Sequence, residues 1–159
     1  RVKNTLATVQ AVVALSARSA ADVADYKARV VSRLSGLAKT SDLLTQSNWV
    51  GADLRAILCG ELDIYDDDAG TRVKLEGPSV MLPASMAVSL SMVIHELTTN
   101  AAKYGALSNR RGRVTVTWSL EPSGAAGILL FRWRESGGPP VTAPPKRRGR
   151  SGSPRSGSR

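Results

Sequence analysis

The feature that most restricts this 159-residue chain is one long helix that must satisfy two environments at once. Pro83 is suited to start it, since its fixed φ matches a helix and its missing N–H is an orphan there anyway, and Gly105 is suited to stop it just past Tyr104. Residues 78–94 form the longest apolar stretch, and Val88, Met92 and Leu97 fit a core-facing side. The stretch ends in "HELTTNAAKYGAL", residues 95–107, where Glu96, Asn100 and Lys103 fall at i, i+4 and i+7 and share one face. An unpaired buried charge is expensive, so that face is either solvated or lies against something polar. His95 is open to the same two readings, a satisfied structural histidine or a member of the polar group. A triphosphate with its Mg2+ would be a fitting partner. The ion prefers hard oxygen ligands and keeps several waters, so one oxygen from Asn100 suffices to anchor it, while Lys103 neutralises phosphate and Tyr104 adds a nucleotide contact.

Ahead of this helix the apolar spacing is again helical. Val2, Leu6, Val9 and Val13 mark one amphipathic helix, and Val23, Val30, Leu34, Leu37 and Leu44 mark a second after a break near residues 19–22, with Asp22 placed to cap it. Residues 1–47 therefore read as a helical hairpin with one apolar face uncovered. Either that face packs on the rest of the chain, or two copies bury it together as a four-helix bundle.

Beyond Asn48 the pattern becomes mixed. Residues 50–62 read as a helix and 71–76, "TRVKLE", as a strand. Val114, Val116 and Trp118 alternate with Thr115, Thr117 and Ser119, which predicts a half-buried strand, and a turn at residues 121–127 leads into a second strand, "ILLFRWRE". Helices against a sheet with such a hairpin make the fold class α+β.

Two further segments sharpen the reading. Residues 131–141 read "FRWRESGGPPV", and residues 1–9 read "RVKNTLATV". Together with the long helix they resemble the HWE family of sensor histidine kinases, whose name marks a His in the nucleotide-binding helix and a Trp-x-Glu motif further along, here His95, Trp133 and Glu135. In that family the phosphorylated histidine directly precedes an Arg-x-Lys-Asn sequence, here Arg1, Val2, Lys3 and Asn4, so no acceptor is present and it is expected immediately before Arg1.

The resemblance implies the ATP-binding (Bergerat, GHKL) α/β sandwich shared with gyrase and Hsp90. It implies a dimerisation hairpin over residues 1–47 and an incomplete catalytic unit over 48–145, with ATP and Mg2+ as cofactors and a response-regulator receiver domain as partner. It implies roles as well: Asn100 holds Mg2+, Lys103 steadies phosphate, Glu96 accepts or orients the proton of the attacking imidazole, and His95 bonds phosphate or orders Glu96. Glu135 receives the adenine amino group, and Gly137 and Gly138 let the backbone approach the ring. Trp133 is either a core aromatic or a ligand contact. Pro139 stands where the wider superfamily has a second spaced glycine. The expected activity is autophosphorylation on histidine and relay to an aspartate, the piece by itself being inactive. The alternatives are a non-catalytic dimerisation and nucleotide-binding module, or a nucleic-acid binder.

Charge speaks to the last of these. The net charge is +9, but Lys146, Arg147, Arg148, Arg150, Arg155 and Arg159 supply six of those charges with no acid among them. Residues 146–159, "KRRGRSGSPRSGSR", have no aliphatic or aromatic side chain to bury, so a disordered basic tail is expected there, and no specific nucleic-acid partner. The family continues past Arg-Arg-Gly into a second glycine-rich loop. This chain keeps Arg147, Arg148 and Gly149 and then departs, as a frame change or truncation would produce. Cys59 is the only cysteine, which excludes an internal disulfide, fits a reducing cytoplasm, and reads as a small buried hydrophobe. Pro83 and the serines at 79, 85, 89 and 91 make the apolar stretch a poor membrane span.

Overall fold

A computed structural model describes residues 2–67, 69–123 and 126–140, and the architecture is α+β. Two helices, α1 (Val2–Ser19) and α2 (Val23–Gln46), form a hairpin. They are followed by β1 (Gly51–Asp53), α3 (Leu54–Leu62), β2 (Val73–Glu76), β3 (Met81–Pro83), α4 (Ala84–Lys103), β4 (Arg113–Ser123) and β5 (Ala126–Ser136). The basic stretch 146–159, residues 141–145 and Arg1 lie outside the described residues.

The hairpin breaks where the sequence predicts. Asp22 caps α2 by accepting from the Asp25 N–H at 2.8 Å, and Asp25 answers by accepting from the Ala21 N–H at 3.0 Å, so both carboxylates satisfy orphan donors. That backbone bond, helped by Arg29, holds the Asp25 carboxyl below its ordinary value. The seam of α1 differs from the expected one: Val12 and Ser16 are buried, whereas Leu6 and Val13 stand exposed. The apolar pattern of α1 is wider than a single stripe, and contact with α2 uses only its Val12 side.

The long helix runs as expected, Pro83 preceding its first residue and Tyr104 closing it. Its deeply buried stripe is Ala87, Ser91, Ile94, Thr98 and Ala101, and not Val88, Met92 and Leu97, which are half-buried. The reason is that α4 is sandwiched. Small residues let the α3 side approach closely, and the bulkier Met92 and Leu97 turn toward the hairpin, where they line an apolar cavity of about 490 Å³ with Ala11, Leu15 and Leu37.

Three strands form a mixed sheet in the order β2-β4-β5, with β2 parallel to β4 and β4 antiparallel to β5. Val114, Val116 and Trp118 alternate into the core, as their spacing predicts. They meet Leu54, Ile57, Leu58 and Leu62 of α3, Leu44 of α2 and Ile94 of α4 in one cluster. The β4–β5 ladder reaches Ser123↔Ala126, so the turn is narrower than the expected 121–127.

Two further boundaries move. Residues 51–53, read as helix, pair with β3, and Asp53 ends the strand by capping α3 at Ala56 N. Thr71 is held by the Asp67 carboxylate through both its N–H and its hydroxyl, which delays the strand until Val73. Cys59 is half-buried and not fully buried, and burial is the main cause of its raised thiol pKa.

Candidate functional site

The polar face of α4 is only partly open to water, because α2 lies across its Glu96 end while Asn100, Lys103 and Tyr104 stay exposed. Glu96, Asn100, Lys103 and Tyr104 line a cleft whose opposite wall is Arg29, Ser32 and Arg33. Its enclosed volume is about 20 Å³, room for little more than one water. The i, i+4, i+7 spacing therefore gathers these α4 side chains, and the hairpin supplies cations that face them.

Glu96 is engaged. Arg33 Nε donates to its Oε1 at 2.5 Å, which lowers the Glu96 carboxyl and raises the Arg33 guanidinium from their ordinary values. The same guanidinium donates to Ser16 Oγ at 2.8 Å, tying α1, α2 and α4 at one point. Asn100 is exposed, and its carboxamide makes no hydrogen bond among the described residues.

His95 faces away from that stripe, between α2 and α3. Its Nδ1 lies 2.7 Å from Oε2 of Glu61, and its Nε2 lies 2.8 Å from Oγ of Ser32. Glu61 is 6 % exposed, yet its carboxyl sits below the ordinary value: burial pushes it up, and the hydrogen bond and charge of His95, with the charge of Lys39 3.6 Å away, outweigh that. Gly36 makes this closeness possible, since a Cβ there would meet His95 Nδ1 at 2.9 Å. A mid-helix glycine is about 1 kcal/mol poorer than alanine in propensity, and here it lets the helix backbone pass an imidazole.

A second group gathers at the end of β5. Glu135 Oε2 accepts from the Ala106 N–H at 2.7 Å, and its Oε1 accepts from the Trp133 indole at 3.0 Å. Trp133 is thus both half-buried against the core and bound to Glu135. Gly137 has φ +68°, and Gly138 packs where a Cβ would meet Ala106 N at 2.9 Å, so both positions suit glycine. The two groups adjoin at Gly105 and Ala106, just past the end of α4, but the cleft beside Asn100 is not walled by Trp133, Glu135, Gly137 or Gly138.

Among the described residues, no group of three or more His, Cys, Asp or Glu side chains is placed to hold a metal ion. Mg2+ does not demand such a cage, since it keeps waters and shares phosphate oxygens, and the Asn100 carboxamide has an oxygen to give. The donor set fits that one mode.

Residues 1–79 match the HWE histidine kinase family. The chain belongs to that family. It is also 33% identical over 147 residues to proteins named blue-light-activated histidine kinase from Brucella ovis and Brucella abortus, and 34% identical to one from Brucella anthropi. Each alignment covers 92% of this chain and 30% of the relative, so the chain spans about a third of the length of these kinases.

Sequence reasoning named the α4 and β5 residues that the fold gathers into two groups, and did not name Ser32, Arg33 and Glu61, which bond to His95 and Glu96. One signal was visible. Glu61 is the lone acid of "LRAILCGEL", flanked by Leu58 and Leu62, and an acid in an apolar turn needs a partner. Ser32 and Arg33 carried no such mark, because nothing local says which face of α2 meets α4.

Among the described residues, no helix is long and apolar enough to cross a membrane.

Proposed function

We propose that this chain is the phosphoryl-transfer portion of a two-component signalling kinase, which uses ATP to phosphorylate a histidine and passes the phosphoryl group to an aspartate of a response regulator. Residues 1–47 act as the dimerisation hairpin and 48–145 as the nucleotide-binding unit, in the cytoplasm. The observation that carries this reading is the cleft on α4, where a free carboxamide, Lys103 and two arginines of α2 converge.

Phosphoryl transfer asks a protein mainly for positioning and for cations near the moving charge. Lys103, with Arg29 beside it, supplies positive charge to the phosphates, and Asn100 would hold Mg2+, which when bound neutralises the phosphate oxygens. Glu96, ionised by Arg33, is in the right protonation state to take or orient a proton. At the far end Glu135, Gly137 and Gly138 form the base-binding edge. Glu135 keeps acceptor capacity beyond its two present bonds, because a carboxylate offers about four lone-pair sites.

Titration with ATP and Mg2+, followed through Trp133 emission, tests the reading. Asn100→Ala is expected to weaken binding at least about tenfold, about 1.4 kcal/mol, and to remove its Mg2+ dependence. An affinity unchanged by that substitution, or no binding to the wild-type chain, rejects the proposal.

A further inference from the structure

The hydrogen-bond chain Ser32–His95–Glu61 has a use that the α4 cleft alone does not explain. Ser32 Oγ is 2.8 Å from Nε2 of His95, whose Nδ1 is 2.7 Å from a carboxylate on α3. An ionised Glu61 has no proton to give, so it must accept from Nδ1–H. In its neutral form an imidazole with that proton on Nδ1 carries its lone pair on Nε2, the atom 2.8 Å from the Ser32 hydroxyl that would accept from it. A hydroxyl, an oriented base and a buried acid that fixes the tautomer are the parts that activate a serine as a nucleophile. Ser32 also lines the cleft shared by Asn100, Lys103, Arg29 and Arg33.

We propose that Ser32 is a second phosphoryl acceptor of this chain, taking the γ-phosphoryl group of ATP held in the α4 cleft. The proposal rests on the nucleotide reading above and names a substrate side chain for that same site. Ser32 Oγ attacks the γ-phosphorus, and an O–P bond forms there. The bond from that phosphorus to the β,γ-bridging oxygen breaks, and ADP leaves with its electron pair. The hydroxyl proton passes to Nε2 of His95, the imidazolium is held by Glu61, and the proton then goes to solvent. His95 is the catalytic base, and Glu61 is a positioning residue.

Two features of the surroundings favour the reaction. The product would carry about two negative charges beside Arg29, Arg33 and Lys103, where charge-assisted hydrogen bonds await it. The cleft is small, but exposed Lys103 and Tyr104 make part of its wall, and room for the phosphoryl group is gained as those two side chains turn outward.

The test incubates the full chain with γ-labelled ATP and Mg2+, measures nucleotide binding on the same sample, and maps the label by mass spectrometry. The expected result is an acid-stable, alkali-labile phosphoserine at Ser32, absent in Ser32→Ala and replaced by phosphothreonine in Ser32→Thr. His95→Ala should slow labelling on the order of 100-fold. Glu61→Gln should slow it too, and should shift its pH profile, which a purely structural role would not do. Without nucleotide, 15N NMR of the histidine ring should show the proton on Nδ1. Nucleotide bound with no label at Ser32, or a proton found on Nε2, overturns the proposal while leaving the nucleotide reading intact. Absence of nucleotide binding overturns both. Because the label is mapped on the wild-type chain, a variant that fails to fold does not remove the test.

Discussion

Glu96 and Glu61 show how one residue type acquires two settings. Glu96 is half-buried and its pKa is lowered mainly by Arg33, while Glu61 is buried and stays ionised only because His95 and Lys39 outweigh desolvation. Both carboxyls lie below the ordinary 4.5. A depressed folded-state value means that the stabilisation is fully present above the ordinary value and is lost as pH falls through the folded one. Urea midpoints should therefore hold steady from neutral pH down to about 5 and decline below about 4.5, and Glu96→Gln should reduce that decline. A profile unchanged by Glu96→Gln would mean that the Arg33 pair contributes nothing to the fold. The helical period made Glu96, Asn100 and Lys103 legible, because 3.6 residues per turn is a local rule. It left Ser32 and Arg33 invisible, since their significance depends on which helices meet.

At the scale of elements, the close packing of α2 on α4 is decided by Gly36. Alanine there would gain up to about 1 kcal/mol of helix propensity. Its Cβ would fall 2.9 Å from Nδ1 and 3.1 Å from Cγ of His95, and the ring has nowhere easy to go, being held by Ser32 on one side and Glu61 on the other. We expect Gly36→Ala to destabilise the chain by roughly 1–3 kcal/mol, as overpacking does, with faster amide exchange along α2. A stabilised variant would show that the ring can retreat. The elements themselves were largely readable: alternation marked β4, the turn after it led into β5, and Asp22 marked the start of α2. The three-residue strands β1 and β3 were not, because Gly51–Asp53 and Met81–Pro83 are too short for any period and exist only by pairing with each other.

At the scale of the whole molecule, α+β packing follows from where apolar surface must go, and some of it goes nowhere within one chain. Leu6 is 57% exposed and Val13 38% along α1. Burial against a second hairpin is the expected use of that surface, consistent with the dimer that HWE membership implies. Sedimentation should give a mass that rises with concentration, and Val13→Lys should shift it toward the monomer by placing a charge in the seam. A wild-type mass that stays monomeric at all concentrations would assign this face to something else. The fold class was legible because it depends on composition and period together. The cleft closed by α2 was not, because closure is a relation between distant segments.

The open side of β5 has a practical consequence. As the last strand of the order β2-β4-β5, it presents a long row of backbone amides and carbonyls that no neighbouring strand completes among the described residues, beside exposed Ile128 and Leu130. Such a rim recruits whatever extended peptide it meets first. Concentrated stocks should thicken through β-rich stacking long before the helices melt, and a proline in the outer half of β5 should keep them clear.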